Sequence, residues 1–315
     1  MAWMPFIFIM LGVVTGFIKF PERFFKLAEI AGNIALTTLM LAIGINIGTS
    51  DTVIKNIGDI SFNCGVITLC ALGFSIIAVF ILEKTVLPLN ELQNKILSVN
   101  NNFAPETKGN PEKKSSAFVW IIPVCIILGI ITGIFFMRGL EKFNGMVFTG
   151  SLTILYISVG VGLAQNRIIF TYVKLLGWKV ILISAAIILG SLTGGLAAGL
   201  MLGLELHISV ISACGMSYGS LTGAFMTQVY GIDTGTYGFL VNVMREFLTI
   251  MLLPLLVRIS KGAPIASGGA AAMDTVLIPV TKFIGAELSL VVLITGTILT
   301  FAVPVLIQLL SNILF

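Results

Sequence analysis

Two carboxylates lie in apolar surroundings. Glu246 stands in the run 237–259, one position after Arg245 and one helical turn after Asn242. Asp274 follows Gly268, Gly269, Ala270, Ala271, Ala272 and Met273, and precedes Thr275 and Pro279. At mid-membrane an ionised side chain costs at least ~2.5 kcal/mol on insertion scales, so such groups are expected to face a polar interior. Asn242 and Glu246, four apart on a helix, share one face and can reach the same cavity, whereas the adjacent Arg245 and Glu246 need not pair. The small residues before Asp274 allow a tight hairpin or unwound backbone, which membrane depth tolerates only where protein lines a cavity. An aspartate held there can bind a cation or carry a proton; the plainer alternative is a helix cap near the interface.

A second cluster lies upstream. Gly215, Gly219 and Gly223 alternate with Ser212, Ser217, Tyr218, Ser220, Thr222, Thr227 and Gln228. A lipid-facing helix would not carry that much hydroxyl and amide, so the stretch is expected to line a cavity. The candidate substrate- and ion-binding residues are therefore Glu246, Asp274, Asn242, Arg245, Ser217, Tyr218, Ser220 and Thr222. Cys64, Cys70, Cys125 and Cys214 stand singly in apolar runs and His207 is the one histidine, so neither a metal site nor a disulfide is expected.

These residues need a membrane scaffold. Hydrophobic residues make up 57% of the 315 and charged residues 10%, too few charges to cover a water-soluble surface. Apolar runs long enough to cross ~30 Å of hydrocarbon recur along the chain. Spans are expected near 5–20, 29–49, 61–82, 118–137, 146–164, 178–203, 237–259 and 286–314. The stretches 208–229 and 264–281, rich in Gly, Ala, Ser and Thr, are either further spans or re-entrant, broken helices. The fold class expected is all-α and polytopic, with about eight transmembrane helices plus these two segments.

With both stretches re-entrant and both termini outside, the inner face takes most of the eighteen basic residues, and the outer face only Lys55, Arg138 and Lys142. Trp3, Trp120 and Trp178 each open a span, as interfacial anchors do. The order Leu11-Gly12-Val13-Val14-Thr15-Gly16 is echoed by Leu128-Gly129-Ile130-Ile131-Thr132-Gly133, and Gly44 to Ile47 by Gly160 to Leu163, at nearly one offset. Three spans thus appear twice, and an odd number makes the copies face opposite ways, as in many secondary transporters. The expected organisation is a three-helix repeat over 1–82, a cytoplasmic linker over 83–117, a second repeat over 118–203, and a core over 204–315 carrying the candidate site.

Those residues resemble the LysO-type lysine exporters of bacteria. The resemblance rests on Gly215 to Gly223, on Asn242, Arg245 and Glu246 with Leu248 to Pro254, and on Ala270 to Asp274. It implies eight spans with both termini outside, and it matches Glu246 and Asp274 to the family's essential acidic pair. The chain departs from the family at Gly219, often aromatic there, at Ala272, often serine, and in its longer linker.

The function expected is a secondary transporter, not an enzyme, in the inner cell membrane. It would export L-lysine or a close cationic analogue by antiport, using no cofactor beyond a proton or sodium gradient. Partners would be the cationic amino acid and membrane lipid, without nucleic acid, and a homo-oligomer is left open. A sodium-coupled organic anion carrier with Arg245 as main contact is the chief rival. An intramembrane hydrolase lacks both a GxGD-type aspartate pair and a serine partner for His207.

Overall fold

The structure, a computed structural model, describes residues 4–17, 22–50, 54–89, 124–125, 127–135, 141–165, 179–285 and 288–314. Among them regular structure is helical: α1 Met4–Phe17, α2 Glu22–Thr49, α3 Ile57–Thr85, then helical residues at 127–135, α4 Glu141–Gln165, α5 Lys179–Leu202, α6 Leu206–Cys214, α7 Gly219–Tyr230, α8 Ile232–Ile259, α9 Gly262–Gly268, a 3-10 turn Gly269–Met273, α10 Leu277–Ile284 and α11 Ser289–Leu314. Helices keep every backbone N–H and C=O bonded within the segment, which hydrocarbon demands. Five are long and apolar enough to cross a bilayer: α3, α5, α8, α11 and Ile30–Thr49 of α2. The chain is an all-α polytopic membrane protein. Most of the 83–117 linker and all three tryptophans lie outside the described residues.

Both ambiguous stretches prove to be broken helices. The first divides into α6 and α7 around 215–218, the second into α9 and α10 around the 3-10 turn. Helix α8 begins at Ile232, five residues ahead of the expected 237, because polar Asp233 and Thr234 occupy its first turn.

The chain forms two compact units, and each draws on both expected repeats. One comprises Met1–Ser61, Ala117–Ile168 and Ser220–Phe239. In it α1 and α2 both pack on α4. Gly12 lies so close to α4 that a methyl group there would overlap the Ile157 carbonyl oxygen and come 3.0 Å from Gly160 Cα. Gly129 does the same to α2, against the Leu41 carbonyl oxygen and, at 2.9 Å, Gly44 Cα. Gly12 and Gly129 hold matching positions of the expected repeat, as do Gly44 and Gly160. The same contact is thus made twice with the partners exchanged.

The other unit comprises Phe62–Ser116, Ile169–Gly219 and Leu240–Phe315. Helix α5 is its hub. Gly190 and Gly194 admit the α3 backbone at Ser75 and Ala71, while Gly195 and Gly199 admit α6 at Val210 and Ser209. Two glycine pairs, each spaced by four, give α5 two close-packed faces where apolar burial alone drives little association. Ser75 of α3 and Ser191 of α5 meet directly, their hydroxyl oxygens 3.1 Å apart across 116 positions, the offset that relates Gly44 to Gly160.

Candidate functional site: two broken helices joined by α8

Helix α8 presents Asn242, Arg245 and Glu246 within the second unit, and each side chain addresses a different part of the broken helices. At the first break Met216 and Ser217 have φ of 47° and 73°. This left-handed backbone costs on the order of 1–3 kcal/mol per residue and persists only where surroundings impose it. Asn242 imposes it. Its Oδ1 accepts the Ser217 N–H at 2.8 Å and its Nδ2 donates to the Ser212 carbonyl at 2.9 Å, replacing helix bonds lost at the break. The side chain is wholly buried.

The second break is bonded to the first. The Ala270 N–H donates to the Met216 carbonyl at 2.7 Å. Gly269, with φ 57°, must be glycine on two counts: a side chain would strain that conformation, and a methyl would overlap the Met216 carbonyl oxygen. From the other side α11 supports the turn, with Gly296 leaving room for the Met273 backbone and Thr300 Oγ1 donating to the Ala270 carbonyl at 3.4 Å.

Arg245 is 1% exposed and fixes the end of α9. Its Nε donates to the Ser267 carbonyl at 3.2 Å and Nη2 to the Ala266 carbonyl at 3.0 Å. Nη1 reaches Ser191 Oγ at 2.9 Å and Nη2 Ser75 Oγ at 3.3 Å. Four of the five guanidinium N–H groups are thereby used.

Glu246 and Asp274 come together. Glu246 lies within Coulombic range of Asp274, and Thr275 is near both. The Thr275 hydroxyl is buried and near both carboxylates but forms no well-aligned hydrogen bond. The Thr275 N–H donates to Asp274 Oδ1 at 2.6 Å. Glu246 is half-buried. Asp274 is exposed. It opens the turn 274–276 between the 3-10 segment and α10, while Ala270, Ala271, Ala272 and Val276 around it are buried. Tyr218, from the first break, is within electrostatic reach of Asp274. Ser217 Oγ is buried without a hydrogen-bond partner.

Of the residues singled out in the sequence, the second unit thus gathers Glu246, Asp274, Ser217 and Tyr218 at the joined breaks, with Asn242 and Arg245 behind them. Ser220 and Thr222 stand on α7 in the first unit, Thr222 fully buried. Ser75 and Ser191 escaped sequence reasoning, since a lone serine in an apolar helix has no distinguishing signal except, here, the repeat offset they share. His207 pairs with Glu205, Nδ1 to Oε2 at 3.3 Å.

The family described as lysine exporter LysO matches residues 123–311, which include both breaks and all of α8. The chain belongs to the LysO family. Among LysO relatives, the "Lysine exporter LysO" of Escherichia coli strain K12 is 29% identical over 161 residues, 51% of this chain and 54% of that protein. The "Putative lysine exporter" of Haemophilus influenzae is 26% identical over 187 residues, 59% of this chain and 95% of that one. The chain therefore aligns with about half the length of the E. coli protein. No solved structure matches it.

Proposed function

We propose that the chain exports L-lysine or a close cationic analogue from the cytoplasm, exchanging it for a proton or sodium ion. The carrying observation is the approach of Glu246 and Asp274 across Thr275 at the joined breaks. Two like charges so placed attract a cation, and a substrate ammonium can neutralise both. A proton or sodium ion bound there competes with the ammonium, and competition for one site is the minimal basis of antiport. The unpartnered Ser217 hydroxyl and Tyr218 are suited to orient the rest of the amino acid. Membership of the LysO family supports lysine as the cargo. The inner membrane, with both termini outside, is the location that the basic residues favour.

An organic anion carrier that relies on Arg245 is less well supported, because four of the five N–H groups of that side chain already hold serines and carbonyls. Proteoliposomes loaded with labelled lysine separate the two readings. Efflux that an opposing proton or sodium gradient accelerates, and that thialysine inhibits, is the expected result. Inhibition by an organic carboxylate without effect of thialysine would reverse the assignment.

A further inference from the structure

Helix α9 is only seven residues long and wholly buried, yet its height in the bundle sets where Asp274 stands, because the 3-10 turn follows it without a linker. What holds α9 at its far end is a carboxylate from α3. Glu83 Oε2 accepts the Gly262 N–H at 3.1 Å. Ser260 Oγ accepts the next N–H, from Ala263, at 3.0 Å. Residue 264 is proline and has no N–H to satisfy. At the other end Arg245 takes the Ala266 and Ser267 carbonyls. A negative charge at the first turn and a positive charge at the last both complement the helix dipole.

The two charges act along one rail. Ser75, Val79 and Glu83 are spaced by four on α3 and form a single stripe. Ser75 bonds Arg245 beside the end of α9, a Cβ at Gly262 would come 2.7 Å from Val79 Cγ1, and Glu83 bonds the start of α9. Helix α9 therefore runs antiparallel to α3, pinned at both ends of the stripe. Gly262 is the residue that lets α9 come so near: a Cβ there would also lie 2.8 Å from Glu83 Oε2.

We propose that Glu83 is a positioning residue for transport, setting the height of α9 on α3 and so the presentation of Asp274 to Glu246. It touches no substrate, and the proposal rests on the cation-site reading given above. The distinguishing variants are Glu83→Ala, which removes the acceptor, and Glu83→Gln, which keeps an acceptor oxygen at the same reach. Loss of one charge-assisted hydrogen bond from a seven-residue helix predicts a fall in the maximal efflux rate of about tenfold for Glu83→Ala, with KM for lysine changed less, and recovery to within about threefold for Glu83→Gln.

A second measurement needs no substrate. In a chain whose four cysteines are replaced, Asp274→Cys is labelled with a water-soluble thiol reagent. Adding Glu83→Ala should change the labelling rate at least about threefold, and adding Glu83→Gln should not. If Glu83→Ala leaves both efflux kinetics and labelling at parent values, the proposal is overturned. If lysine is not transported at all but Glu83→Ala still shifts the labelling, the substrate assignment fails and the positioning role stands.

Discussion

Arg245 buries its guanidinium among two carbonyls of α9 and two serine hydroxyls contributed by α3 and α5. A lysine would keep the charge, but its compact ammonium cannot span oxygens that a planar fork reaches in several directions. Arg245→Lys is therefore expected to lose about 2 kcal/mol, read as a lowered Tm in detergent, and to lower efflux with it. Asn242→Ala leaves the buried Ser217 N–H without its acceptor and removes the Nδ2 donor to the Ser212 carbonyl, and should lose a similar amount, about 2 kcal/mol. A Tm unchanged in Arg245→Lys and Asn242→Ala would remove these side chains from their supporting roles. The sequence makes Asn242, Arg245 and Glu246 conspicuous, since polar groups deep in an apolar helix need partners. Their separate tasks were not legible, because the partners are backbone atoms and serines as far as 170 positions away. Sequence shows that a buried polar group needs a partner, and only geometry shows which one it has.

Among the elements, the glycine spacing proved the most readable feature. Gly190, Gly194, Gly195 and Gly199 predict close helix contacts from sequence, and α5 makes them on two faces. Breakage of 208–229 and 264–281 was foreshadowed by small residues around polar ones, but the bond from Ala270 to Met216 was not. It joins segments that no local pattern relates. Glycines of identical local context also differ in what surrounds them. Gly129→Ala pushes a methyl into the α2 backbone and should lower stability by about 1–3 kcal/mol. Gly145→Ala adds a methyl where nothing lies within 4 Å, and removing a helical glycine there should be neutral or stabilising. Thermal unfolding of the two variants side by side tests the exchanged contact on which the repeat relation rests. Equal Tm values for both would count against it.

For the whole molecule, the ends of helices that meet are those that alternation places on one face. The Ser50 hydroxyl donates to Asp233 Oδ1 at 3.3 Å in the first unit. In the second, Glu83 meets Gly262, and Lys179 Nζ donates to the Val86 carbonyl at 3.5 Å. Lys84, Arg258 and Lys261 lie close in sequence to the residues of the latter contacts, so that end of the second unit is expected to be cytoplasmic. Single cysteines at Lys84 and Lys261 should react from the inside of oriented cells and one at Asp233 from the outside; the opposite pattern would invert the topology. The all-helical, polytopic character was legible from composition, because hydrocarbon admits few alternatives. The division into two units, each drawing on distant parts of the chain, was not, since it depends on which glycine meets which backbone.

The claim on which the rest depends is that Glu246 and Asp274 form one cation site. Efflux of labelled lysine from proteoliposomes, measured for the native chain, Glu246→Gln and Asp274→Asn at equal reconstituted amounts, tests it most directly. Each variant is expected to transport at least about tenfold more slowly, because each removes a charge that pairs with the substrate ammonium. Native rates in either variant would contradict a shared site.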